Sequence, residues 1–332
     1  VTASTAAALV AAKEPLKVIS RTLPAPSKGE VTLRLEACAL GLSDWDVAML
    51  DGLPRLPVVL GGEAVGRVTA CGEGVSLRVG QRVAVTPLAS TCGACLVCER
   101  GLEQHCARLQ LHGFGRDGAL TTAGNFLAQH LVPLDDAIDA GLVCAGLTPA
   151  WCALGGLQAA GVGTGMTVGV FGVGGLGAAV IQVAKLRGMR VVAVEPEEDR
   201  RALAVELGAE RALHPKEADA LKHSVHAAIL CTPSTQALVQ AHRALLPTGT
   251  LVLMGGGPAT RFDLPMLDLV SRGLTVRGSF LGSRSELVDA LGWLTAGTWK
   301  APHVRVPLSA APERLYALRD LGFLGRLVFE AV

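Results

Sequence analysis

The chain has 332 residues, half of them apolar and only 18% charged, with a formal net charge of +1. That balance excludes a solvated disordered chain and offers no basic surface for a nucleic acid. The length suits two domains, each large enough to bury most of its apolar surface, and the 40 glycines exceed what ordinary turns need, which points to a glycine-lined ligand loop.

The alanine-rich first dozen residues read as a loose end or an edge strand. The opening VTASTAAALVAAKEPLKV has no basic region ahead of a long apolar core, so no secretory signal is visible and a cytoplasmic location is expected. From about residue 16 to 133, short β-rich runs (VTLRLEACAL, EAVGRVTACG, QRVAVTPL, FLAQHLVP) alternate with Gly, Pro and Asp. Residues 1–138 are therefore assigned to an irregular, mostly β domain.

From 139 to 280 the rhythm changes to strand, helix, strand: MTVGVFG, GLGAAVIQVAKLRG, RVVAVE, DRRALAVELGA, HAAILCT, TQALVQAHRALLP, GTLVLMG. Apolar strands alternating with helix-length segments imply a doubly wound parallel sheet, so the fold class is α/β with a second, mostly β domain. Residues 140 to 184 carry no charged side chain, as a membrane span would not, but ten glycines between 155 and 177 interrupt them. The pieces have the lengths of a buried helix and a buried strand, and no membrane partner is expected. Residues 281–332 are helix-like through SELVDALGWLTAG and ERLYALRDL and close on the β-like GRLVFEAV.

Of nine cysteines, four crowd into TCGACLVCERGLEQHC, within a lobe spanning 90–108. Cys92, Cys95, Cys98 and Cys106 are spaced for one closed, structural zinc per subunit, with no open position for a substrate. An iron–sulfur cluster shares the ligand type and stays open as an alternative. His105 is expected to be an exposed neighbour.

The segment VGVFGVGGLGAAVIQVAKLRG carries the loop Gly172, Val173, Gly174, Gly175, Leu176, Gly177 between a strand and a helix. Gly172 permits the tight turn, Gly174 lets the backbone approach a pyrophosphate, and Gly177 lets helix and strand pack closely. A second strand ends on Glu195, which is expected to accept hydrogen bonds from ribose hydroxyls and, with Glu197 and Glu198, to favour NAD(H) over its 2′-phosphorylated form.

These features in this order, with GGEAVGRV upstream and RGSFLGSRSEL downstream, resemble the zinc-type alcohol dehydrogenases of the medium-chain dehydrogenase/reductase family. The likeness spans nearly the whole chain. It implies a GroES-like catalytic domain built from both chain ends around a central Rossmann domain, a small-molecule substrate, and a homodimer or homotetramer paired through the Rossmann domain. It also places Thr148 near the nicotinamide, Arg200 near the adenosine ribose, Cys231 and Thr232 by the adenine side, and Arg326 at the pyrophosphate.

The family's catalytic zinc takes a Cys from a CGICGSD-like segment, a His from GHE, and a later Cys or acid. Here those stretches read CALGLSD and GGE, so Gly41 and Gly62 stand where two ligands belong, while Ser43, Asp44, Glu63 and Cys144 remain at matching positions. The survivors are too few for tight binding, and a catalytic zinc is expected to be absent. The alternative is a site rebuilt from Cys38, Asp44 or Asp46 with Cys144 and Glu63, serving an alcohol or polyol dehydrogenase. Glu63 is either a satisfied structural acid or a carboxyl that burial keeps protonated.

Hydride transfer itself needs no metal, but an alkoxide does need a Lewis acid. Reduction of an α,β-unsaturated carbonyl spreads its charge into an enolate, which hydrogen-bond donors can support. The expected function is therefore NADH-dependent reduction of an activated C=C bond, such as a short or branched enoyl thioester, with Ser43, Glu63 and Cys144 as the site residues and Ser43 the best-placed donor. A nucleotide-binding protein without catalysis is the third reading. Tyr316, His112 and His130 are expected to be structural.

Overall fold

A computed structural model of the chain describes residues 2–53, 55–256, 261, 263–318 and 325–331. Their contacts separate two compact units, Val1–Thr148 with Leu294–Val332, and Pro149–Trp293. Part of ERLYALRDL lies outside the described residues; its first half is the helix Ala311–Ala317.

The first unit is mostly β. Its main sheet runs, in spatial order, Val132–Pro133, Arg82–Val85, Glu63–Cys71, Glu30–Leu40, Arg326–Glu330 and His303–Pro307, with Ala123–Leu127 also paired to Glu30–Leu40. The long strand Glu30–Leu40 alternates in VTLRL and then turns wholly apolar, and it is buried almost continuously from Ala37 to Leu40. Leu33, Leu40, Leu60, Leu120, Phe126 and Phe329 fill the core against it.

The alanine-rich start corrects one expectation. Thr2–Leu9 is neither a loose end nor an edge but the middle strand of a three-stranded sheet, paired on one side with Lys17–Leu23 and on the other with Val58–Val59. Small alanine side chains let this strand sink into the core, with Ala6, Ala7, Ala8 and Leu9 almost fully buried.

The second unit holds the expected parallel sheet, ordered Arg211–Leu213, Arg190–Val194, Thr167–Phe171, Val225–Leu230, Leu245–Leu253, Thr275–Gly278. The order reverses between Thr167–Phe171 and Val225–Leu230, and the crevice at such a reversal is where doubly wound sheets bind ligands. Gly172 follows the first of these strands and Cys231 and Thr232 the second.

The apolar helix Ala140–Ala160 is long enough to cross a membrane, but most of it is buried. Its glycines explain this. Side-chain atoms at Gly141 and Gly146 would strike His303 and Trp299, and at Gly155 and Gly156 would strike Leu281 and Met254, so the missing Cβ atoms admit close neighbours along its length.

Phe329 lies in the strand Arg326–Glu330 and is 1% exposed. Phe329→Ala is expected to destabilise the protein by about 3–5 kcal/mol, read as a lower urea midpoint; a loss below about 1 kcal/mol would show that the strand is not packed as described.

Candidate active site

The nucleotide loop has the geometry its glycines require. Gly172 has φ +92°, a conformation that side chains disfavour, and its amide donates to the Val194 carbonyl at 2.9 Å. A Cβ on Gly177 would lie 1.9 Å from the Gly172 carbonyl oxygen, so only glycine lets the helix Gly175–Leu186 start this close to the strand. A Cβ on Gly174 would meet nothing within 4 Å, and Gly174 and Gly175 are exposed, leaving an open cradle at the helix N-terminus that fits a pyrophosphate. Thr232 packs beside the Gly172 turn, 3.0 Å from where its Cβ would be. Burial pushes the neighbouring Cys231 thiol up to about 12.

Glu195 is buried and turned toward the loop. Its carboxylate accepts the Val173 amide at 2.6 Å and the Glu197 amide at 3.2 Å, tying the end of Arg190–Val194 to the phosphate turn. Arg200 is half-buried on the following helix. The next residue, Arg201, is the one anchored to this corner, donating to the Glu195 carbonyl at 2.9 Å and to the Pro196 carbonyl. The pattern gave no reason to choose between adjacent arginines, because only the helix phase decides which one faces the strand end.

The four lobe cysteines are free thiols whose sulfurs lie within 4.8 Å of one another, with Sγ···Sγ separations of 3.8 Å for Cys92–Cys98, 3.5 Å for Cys95–Cys98 and 3.9 Å for Cys95–Cys106. Zinc–sulfur bonds of about 2.3 Å at the corners of a tetrahedron place the sulfurs about 3.8 Å apart, so the donor set fits a structural zinc. Outer contacts are in place: the Cys92 and Arg108 amides each donate to Cys106 Sγ at 3.4 Å. Hydrogen bonds from Ala94, Cys95 and Arg108 hold the Cys92 thiol down at about 5, while burial pushes Cys98 up to about 11. His105 is exposed, as expected.

A second polar cluster gathers in the first unit around Gly41, Asp44, Glu63 and Arg326. Gly41 ends the strand Glu30–Leu40 and begins the helix Leu42–Met49. Asp44 returns to that turn and accepts two backbone amides, from Gly41 at 2.9 Å and Gly61 at 3.0 Å. Gly61 has φ +89°, and a Cβ there would sit 2.5 Å from Cys38 Sγ, so the first glycine of GGE is required by packing. A side chain at Gly62 would press Pro87 Cα at 3.2 Å.

Glu63 opens the strand Glu63–Cys71 and forms an ion pair with Arg326; each side chain is 13% exposed. The Arg326 guanidinium, which the resemblance implies reaches a pyrophosphate, is turned to Glu63 and lies 2.9 Å, at Nη2, from the point a Gly41 Cβ would occupy. Ser43, exposed, approaches the same point to 3.7 Å with its Oγ. Burial pushes Glu63 up to about 7, with Arg326 opposing and Asp44 reinforcing the shift. Burial also raises Asp44. Burial works against the Arg326 charge, but Glu63, Asp44 and Cys144 outweigh it and hold the guanidinium protonated.

Cys144 is buried in Ala140–Ala160, and its thiol donates to the Ala37 carbonyl at 3.4 Å; burial raises it far above the ordinary thiol range, as it does Cys38. Thr148 is buried on the same helix. The histidines and the tyrosine are structural. His112 contacts the Asp117 carbonyl at 3.0 Å and burial drops it to about 4, His130 bonds Thr91, and Tyr316 donates to the Glu14 carbonyl.

Comparison with known proteins agrees with this geometry. The profile of the alcohol dehydrogenase GroES-like domain matches residues 27–136, and that of the zinc-binding dehydrogenase matches 175–296. An alcohol dehydrogenase of Geobacillus stearothermophilus is 34% identical over 301 residues, covering 87% of this chain and 88% of its own. Alcohol dehydrogenase 1 of Emericella nidulans is 33% identical over 346 residues, 97% of each chain. The solved alcohol dehydrogenase of the archaeon Aeropyrum pernix shares the fold with a TM-score of 0.88 and 26% identity, covering 98% of this chain and 99% of that one. The chain belongs to the zinc-type alcohol dehydrogenase branch of the medium-chain dehydrogenase/reductase family and is an NAD(P)-dependent oxidoreductase.

Two outcomes test the site. Cys106→Ser is expected to lower zinc from one per subunit toward none by elemental analysis and to lower the melting temperature; unchanged zinc would place the ion elsewhere. Glu63, with its folded value near 7, holds a proton that the unfolded chain releases in the usual carboxylate range. Its contribution to stability is present below that range and lost as pH rises through 7. Glu63→Gln should flatten that fall in a denaturation series against pH.

Proposed function

We propose that the protein is an NADH-dependent reductase of a C=C bond conjugated to a carbonyl, such as a short or branched enoyl thioester, with a structural zinc and no catalytic zinc. The observation that carries this reading is the donor set of the polar cluster. Gly41 and Gly62 offer no ligand atom, the Asp44 oxygens are taken by backbone amides, and the Cys144 thiol is buried and donates to a carbonyl. These residues do not fit a tetrahedral ion with one open position.

When bound, the nicotinamide supplies a hydride to the β-carbon. The C=C pair then moves toward the carbonyl, the oxygen takes the negative charge, and a solvent proton at the α-carbon completes the reduction. What this chain must supply is a hold on that oxygen. Ser43 offers a hydroxyl on the exposed side of the cluster, and Arg326 a fixed positive charge behind it.

NAD(H) is favoured over its phosphorylated form because Glu195 fixes negative charge at the strand end, with Glu197 and Glu198 beside it. Thr148, Arg200, Cys231, Thr232 and Arg326 are proposed as further nucleotide contacts. Subunit pairing through the Rossmann domain would fall on its outer strand Thr275–Gly278, exposed along its length and accompanied by the exposed Met266, Leu267 and Val270. Free thiols throughout the described residues suit the reducing cytoplasm.

Zinc analysis combined with an acceptor panel tests the proposal. The expected result is about one zinc per subunit, NADH oxidation with an enoyl thioester or enone, and none with a saturated ketone. About two zincs per subunit with ketone reduction would establish the alcohol dehydrogenase instead, and tight NADH binding without turnover would leave a nucleotide-binding protein.

A further inference from the structure

Three of the four lobe sulfurs accept N–H groups. Cys106 Sγ takes the amides of Cys92 and Arg108, each at 3.4 Å. Cys92 takes the Ala94 amide and the Arg108 side chain, and Cys98 takes the Gly93 amide. Arg108 therefore reaches the knot twice, through its own amide and through its guanidinium. Cys95 is the exception. Among the described residues its sulfur hydrogen-bonds only to other sulfurs, with Cys98 at 3.5 Å and Cys106 at 3.9 Å.

Local structure accounts for the difference. Cys95 is the N-cap of the short helix Leu96–Glu99, a position whose side chain ordinarily accepts an amide of the first turn, yet it makes no such bond. Its sulfur is turned into the cage instead, toward Cys98 in the turn that follows. Cys98 and Cys106 are buried, whereas Cys95 is only half-buried, between the exposed Ala94 and Leu96. Cys92 is half-buried too, but it carries N–H donors from both Ala94 and Arg108. Cys95 alone combines access from solvent with a sulfur that no N–H group shields.

Thiols that coordinate a metal dication are all deprotonated, so the fraction ionised does not rank the four. Intrinsic nucleophilicity does, and it falls as N–H donors stabilise the thiolate. We propose that Cys95 is a modification site, the sulfur at which a soft carbon electrophile opens the zinc cage, with Arg108 shielding Cys92 beside it. The step is a conjugate addition. A sulfur electron pair of Cys95 forms a C–S bond to the β-carbon of an electron-poor alkene, the π pair moves toward the carbonyl oxygen as an enolate, and water then protonates the α-carbon. The thioether left at position 95 carries no charge, so the cage loses one of its four anionic donors and with it its hold on zinc. This site depends on the lobe holding zinc and not on the identity of the hydride acceptor.

The probe is N-ethylmaleimide, in less than an equimolar amount, on zinc-loaded Cys71→Ser protein; Cys71 is exposed outside the lobe and would compete for the reagent. Released zinc is read with a chromogenic chelator, and the label is located by peptide mass mapping of the singly labelled protein. Within the lobe, Cys95 is expected to exceed each of Cys92, Cys98 and Cys106 by about tenfold or more, with zinc released mole for mole. Arg108→Ala should raise the labelling of Cys92 about tenfold, and Arg108→Lys, which keeps the charge but not the planar fork, should fall between. Protein that takes up no zinc defeats the occupancy on which the site depends. In zinc-loaded protein, a lobe left unlabelled, label that favours another lobe cysteine or none, or label on Cys95 with zinc retained overturns the assignment of Cys95. Unchanged labelling of Cys92 in folded Arg108→Ala protein overturns the shielding role of the arginine.

Discussion

The first unit is organised around one ion pair that burial makes demanding. Taking the Arg326 guanidinium out of water costs several kcal/mol unless polar partners meet it, and the Glu63 carboxyl is the partner it faces. The pair closes only because three other residues yield. Gly41 leaves the room, Gly61 adopts φ +89° so that the chain can turn under Cys38, and Asp44 ties the amides of both glycines into one corner.

This corner contrasts with the cysteine lobe, where the same elementary question has the opposite answer. Four sulfurs at tetrahedral spacing, with two backbone amides already donating to Cys106, make a cage whose charge only a cation relieves. Around Gly41 the cation is already part of the chain. Burial raises the thiols of Cys38 and Cys144 there, and the Cys144 thiol donates to the Ala37 carbonyl.

The nucleotide unit shows a related economy. Glu195 was expected to face the ribose, yet its carboxylate is engaged with the amides of Val173 and Glu197. An acid at a strand end can serve both purposes, since each carboxylate oxygen has more than one lone pair. Its inward bonds set the height of the phosphate turn, and Arg201 closes the same corner from the helix.

Much of this was legible in the order of residues. Glycine spacing after a strand, four cysteines in one short lobe, and the shift from β-rich runs to alternating strand and helix are local patterns, and local patterns survive in a sequence because they depend on neighbours a few residues apart. The central placement of Thr2–Leu9, the anchoring of Arg201 to the Glu195 and Pro196 carbonyls, and above all the meeting of Gly41 with Arg326 were not legible. They join residues distant in sequence, through strand register and helix phase, and a shift of one residue in either would send the side chain to the opposite face. The sequence alone determined that positions 41 and 62 carry no ligand side chain; only the folded sheet decided what stands in that space, because the register of its last strand carries a charge there.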